Sequence, residues 1–140
     1  MPDRQEKLPH QTMTLPPWTP HQEKLLREGI RLFNGEQFFE CHEVLEEAWL
    51  EATGPQKIFL QGLIQVAVSL YHLRQENFVG ARRLLTAGLE KLSAFEIVPK
   101  EIDVSRLREA LEPLRRQLHE GPVRRDWPTP QIQYEPIPPE

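Results

Sequence analysis

The sequence predicts an all-α fold: a compact bundle of about five antiparallel helices, with extended N- and C-terminal segments. Three observations predict it. Apolar residues recur at helical spacing in five successive stretches, and glycine or proline punctuates the chain between most of them. The longest apolar run, "IFLQGLIQVAVSLYHL", is about twice the length of a typical strand. The length, 140 residues, corresponds to one domain.

Residues 1–19 lack periodicity and hold Pro2, Pro9, Pro16 and Pro17, the composition of a flexible arm. Helix one starts where Thr19 offers an N-cap and Pro20 fills the first helical position. Its inner face is Leu26, Ile30 and Phe33, and Asn34-Gly35 ends it. Helix two runs from about Glu36 to Ala52, with Phe38, Cys41, Leu45, Ala48 and Ala52 on the core face. Helix three begins near Pro55 and is apolar around most of its circumference, as a central buried helix must be.

Helix four covers about Asn77 to Leu92, with Ala81, Leu84, Leu85, Gly88, Leu89 and Leu92 inward. Its small residues allow close approach of a neighbour. Helix five, near Val104 to Leu118, places Val104, Leu107, Leu111, Leu114 and Leu118 in one narrow seam. Pro113 inside it removes a backbone hydrogen bond and favours a bend. The helical domain thus spans residues 20–120. From Gly121 a proline-rich tail of extended character follows, and Trp127, Ile132 and Tyr134 are too apolar for a solvated one, so it is expected to lie across the helices. No internal repeat of fixed period is evident.

Several function classes are disfavoured. A formal charge of -4 argues against broad nucleic-acid binding. No run reaches the roughly 20 apolar residues of a membrane span, and the N-terminus has no hydrophobic stretch like that of a secretory signal. A cytoplasmic location is the expectation. The single cysteine, Cys41, permits no internal disulfide or multi-cysteine metal cage. No glycine-rich phosphate loop, GxSxG elbow or dinucleotide fingerprint is present, and no cofactor is assigned. Charge is uneven: residues 36–53 carry six glutamates without lysine or arginine, while residues 104–125 hold six arginines against three glutamates.

Chemistry concentrates in "FFECHEVLEEAW", residues 38–49. Glu40, Glu43 and Glu47 point away from the core face, where charged residues belong. His42 and Glu46 differ: four residues apart, they are neighbours on the helix surface, in a stripe with Phe39 and Trp49. If the stripe is partly buried, the carboxylate favours the imidazolium while burial opposes it. It also orients one ring nitrogen, which leaves the other as a base or a ligand. On helix three Gln61, Gln65 and His72 share a polar stripe, with Ser69 at its margin.

These residues suggest a polar pocket between helices two and three for a small ligand, with His42 and Glu46 as the catalytic candidates. A weaker metal set would be His42, Glu46 and His72, although "HEVLE" lacks the second histidine of the HExxH pattern. The alternative is a helical interaction module in which His42–Glu46 is a structural pair. Protein partners through the tail, or a homo-oligomer through the helix-five seam, belong to that reading.

"HEVLEEAW" resembles the HxxxEExW signature of domain-of-unknown-function family 309. The resemblance extends through "RLFNGEQFFECHEVLEEAW", "IFLQGLIQVAVSLYHL" and "NFVGARRLLTAGLEKL", about residues 24–92. It implies an all-α fold of antiparallel helices and no agreed reaction. Its signature positions are His42, Glu46, Glu47 and Trp49, so it adds Glu47 to the ligand-binding candidates.

Overall fold

Thr19 opens the first helix with a capping box. Its hydroxyl accepts from the Gln22 N–H at 3.1 Å, and the Gln22 side chain accepts from the Thr19 N–H at 3.0 Å. Such a cap is worth about 1 kcal/mol. The computed structural model describes residues 15–95, 97–98, 102–121, 123, 127 and 129–133. In order, these form α1 (Pro20–Asn34), α2 (Phe38–Leu50), α3 (Gly54–Arg74), α4 (Phe78–Leu92), β1 (Ile97–Val98), β2 (Ile102–Asp103) and α5 (Val104–Glu120). The two strands are a minimal antiparallel ladder, Val98 opposite Ile102, which the sequence reading did not anticipate. The fold is the expected all-α bundle of five helices, each of α1 to α4 packed on the next and α5 packed on α4.

Periodicity located the core. Leu26, Ile30, Phe33, Phe38, Cys41, Leu45, Ala48 and Ala52 are all buried, as are Phe59, Leu60, Leu63, Val66, Ala67 and Leu70 around α3. On α4 the predicted inner face is buried except for Leu84, which is half-buried. The whole α5 seam, Val104 through Leu118, is buried within this one chain. Pro113 lies on the exposed side of α5, and the helix continues through it.

The absence of a repeat needs correction. The corners of the hairpins α1–α2 and α3–α4 repeat one motif at an offset of 40 positions, as Glu36 and Glu76 mark. Both first helices end in the same motif. Glu36 (φ 65°) donates its N–H to Phe33 O at 2.9 Å, and Gln37 to Leu32 O at 2.8 Å; Glu76 (φ 61°) donates to Leu73 O at 3.0 Å, and Asn77 to His72 O at 2.8 Å. This is the Schellman ending, with glutamate where glycine is usual. Then α2 and α4 start at Phe38 and Phe78. Leu26/Val66, Ile30/Leu70, Cys41/Ala81, Leu45/Leu85, Ala48/Gly88 and Ala52/Leu92 are buried in both copies. The repeat escapes a search on residue identity because, across residues 20–52 and 60–92, only Glu36/Glu76, Phe38/Phe78 and Leu45/Leu85 coincide.

Both ends of the described chain pack on this frame. Residues 1–14 of the predicted arm lie outside the described residues, but Leu15 is buried, and Gln56 Nε2 donates to Pro16 O and Pro17 O at 3.0 and 3.1 Å. In the tail Ile132 is buried, with Val123 and Trp127 partly so, and Asp103 N–H donates to Gln133 O at 3.2 Å. Tyr134 lies outside the described residues. Among the described residues, no helix is long and apolar enough to cross a membrane.

Candidate functional site

Helices α2 and α3 run antiparallel, and aromatic contacts mark both ends of their seam. At one end Phe39 lies 5.4 Å from the Tyr71 ring; at the other, Lys57 Nζ sits 4.1 Å over Trp49. In that register Gln65 falls at the level of His42, and Gln61 at that of Glu46. Tyr71 and Lys57 were missed in the sequence reading. The signal was there: Lys57, Gln61, Val68 and Tyr71 recur at spacings of four, seven and three, which puts them on one stripe of α3.

His42 is the sheltered member of the candidate pair. Its side chain is 20% exposed, against 55% for Glu46, and Nε2 lies 3.8 Å from Glu46 Oε2. The ring rests on Phe39, 5.1 Å between centroids. His42 Nδ1 is 2.9 Å from Phe39 O. A carbonyl only accepts, so Nδ1 carries a proton and donates, and Nε2 is the ring nitrogen turned toward Glu46. At 3.8 Å that contact is no hydrogen bond; it becomes an ion pair once Nε2 is protonated. The longer glutamate reaches water while the histidine ring folds back on its own helix, so the two are neighbours with unequal shelter.

Around them the other candidates divide. Gln65 is half-buried, and its Oε1 is fully shielded from solvent without any donor. Gln61 and Trp49 are half-buried, Phe39 is 46% exposed, and Glu40, Glu43 and Glu47 are exposed. Ser69, at the margin, is buried and donates its hydroxyl to Val66 O at 2.7 Å.

His72 does not join His42 and Glu46 as a metal set. It closes the α3–α4 corner, where its Nδ1 lies 3.3 Å from Asn77 Nδ2. Asn77 Oδ1 accepts the Gly80 N–H at 3.1 Å, so its amide nitrogen is the donor to His72. Among the described residues, no three histidine, cysteine, aspartate or glutamate side chains are grouped to hold a metal ion. Cys41 is a core filler: it is buried, and burial pushes its thiol up to about 12. On α5, Arg115 pairs with Glu112 of its own helix.

Comparison with known sequences bears on this same region. Over 84 residues, 58% of the chain, it is 38% identical to the uncharacterized protein YpuF of Bacillus subtilis (strain 168). That alignment covers 48% of YpuF, so the chain spans about half the length of this curated relative. Residues 26–84 match the family model described as domain of unknown function DUF309. The matched span runs from the middle of α1 into α4 and contains His42, Glu46, Glu47 and Trp49, so the motif's resemblance is a resemblance to DUF309 across both helical hairpins.

Proposed function

We propose that the α2–α3 seam bearing His42, Glu46, Gln61 and Gln65 is a shallow site for a small polar ligand that donates hydrogen bonds. The observation that carries this reading is Gln65 Oε1, a shielded acceptor that receives no hydrogen bond. Such an atom costs about 1–3 kcal/mol, and a donating ligand would recover that by drawing the Gln65 amide outward to meet it. His42 Nε2 and the Glu46 carboxylate are also acceptors, so all three groups ask for the same chemistry. A proton leaving the ligand would pass to Nε2, and Glu46 would stabilise the imidazolium formed, an arrangement suited to proton transfer. Phe39 and Trp49 supply apolar flanks, with Glu47 on the exposed side. A cytoplasmic setting suits a lone buried thiol with no second cysteine to pair it.

Titration with ammonium, guanidinium and acetamide, followed through backbone amide resonances, tests the reading. The expected result is saturable shifts along α2 and α3 that His42→Ala removes while the melting temperature stays within about 2 °C. A large loss of stability in His42→Ala, with no probe bound by the unmodified protein, defeats the reading.

The second reading, an interaction module in which His42–Glu46 is structural, is favoured by the His42 bond to Phe39 O, which ties the ring to its own helix. An exposed pair of this kind contributes about 0–1 kcal/mol.

A further inference from the structure

The two hairpin corners hold one extended segment between them. Asn34 ends α1 and Arg74, 40 positions on, ends α3. The Asn34 side chain pairs with the backbone of Ile132 in both directions: Nδ2 donates to Ile132 O at 3.2 Å, and Ile132 N–H donates to Oδ1 at 2.8 Å. Gln131 Nε2 donates to Asn34 O at 3.3 Å. Arg74, at the equivalent position of the second hairpin, lies 3.5 Å from Thr129 Oγ1 and is paired with Glu36 of the first corner. Equivalent positions of a repeated hairpin therefore contact residues 129 and 132 of a single strap.

This is how a helical-repeat surface reads extended polypeptide: backbone groups are satisfied by corner side chains, and specificity comes from one side chain in a pocket. Here the anchor is Ile132, 4% exposed. Two of these contacts ask only for an N–H and a C=O in extended geometry, which any polypeptide offers, and two use the side chains of Gln131 and Thr129. Beside the anchor lies an open groove lined by Arg27, Ile30, Arg31 and Asn34 together with the strap.

We propose that this corner face is a docking surface for an extended polypeptide segment with a branched aliphatic anchor, and that residues 129–133 are its intramolecular occupant. A partner segment of that chemistry binds by displacing the strap. The inference is independent of the α2–α3 ligand site, since neither His42 nor Gln65 contributes to it.

The test uses the full chain carrying Ile132→Asp, which frees the face, and a fluorescent peptide of sequence WPTPQIQY, residues 127–134. Anisotropy should report saturable binding to this variant, at least about tenfold weaker binding to the unmodified chain, and about tenfold loss on adding Asn34→Ala, which removes two hydrogen bonds. A folded Ile132→Asp chain that binds no better than the unmodified one overturns the proposal. Amide exchange of the unmodified chain decides the matter even if that variant fails to fold. The Ile132 N–H must exchange at least about a hundredfold faster than the amides of Leu63 and Val66, through local opening. Exchange of Ile132 only with global unfolding would make the strap a fixed part of the core and end the proposal.

Discussion

Gly88 of α4 faces Gly62 of α3 so closely that a Cβ on Gly88 would lie 2.9 Å from the Gly62 carbonyl oxygen and 3.1 Å from the Val66 amide nitrogen. Those are backbone atoms at the centre of the molecule, and they cannot swing aside as a side-chain tip would. Gly88→Ala therefore sets two effects against each other. Helix propensity favours alanine by about 0.8–1 kcal/mol, while overpacking costs about 1–3 kcal/mol. Because the clash is with backbone atoms, the cost falls in the upper part of that range, and the expected outcome is a net loss of roughly 1–2 kcal/mol, read as a lower urea midpoint at unchanged slope. A neutral or stabilised variant would show that the helices separate freely.

Glu76 occupies the left-handed position of the second corner. Glycine adopts that conformation without a Cβ clash, so Glu76→Gly should raise stability by roughly 0.5–1 kcal/mol. Glu36→Gly relieves the same kind of clash but gives up the ion pair with Arg74, so its gain should fall below that range. Thermal melts of the two variants side by side measure the difference.

Gln65→Leu separates stability from ligand binding. It replaces an acceptor that has no donor by an apolar group of similar size, and an increase of about 1 kcal/mol in unfolding free energy is expected. The same variant should lose the amide shifts produced by guanidinium. A decrease in stability would mean that Gln65 is satisfied in solution.

Stability should also decline at alkaline pH through Cys41. In the native state burial raises its thiol from 9.0 to about 12, so above pH 9 the unfolded chain releases a proton that the native chain keeps. The native state then binds more protons, and unfolding free energy falls as pH rises through that window, with the contribution intact below it. Urea midpoints at pH 8 and pH 10 should differ less in Cys41→Ala than in the unmodified protein. Thiol reagents should label Cys41 only on unfolding.

The acid limb has a local reporter in Glu36. The Thr129 hydroxyl, and then the Arg74 guanidinium, hold its carboxyl below the usual value. The depressed carboxyl contributes stability above its unfolded value and loses it as pH falls through the folded one. The protection factor of the Ile132 amide, corrected for the slower intrinsic exchange in acid, should therefore fall on acidification before that of Leu63 does. A simultaneous fall would uncouple Glu36 from the strap.

Helix number, helix ends and the buried set were legible in the sequence because each depends on local quantities. One hundred degrees of rotation per residue assigns Cys41, Leu45 and Ala48 to one face whatever they pack against, and Thr19-Pro20 caps a helix by geometry confined to one turn. The same rotation made His42 and Glu46 neighbours. It could not give their unequal exposure, which follows from the bond His42 makes to Phe39 O and from the longer reach of glutamate.

Other features were decided only when the helices assembled. His72 shares a stripe with Gln65 along the sequence, yet the α3–α4 corner draws it to Asn77. The donorless acceptor of Gln65, the pairing of Asn34 with Ile132 across 98 positions and the equivalence of two hairpins with few identical residues are likewise long-range results. A chain's periodicity fixes which face of a helix is apolar. Only packing fixes which distant group meets the polar edge, because that depends on the direction in which each turn sends the next helix.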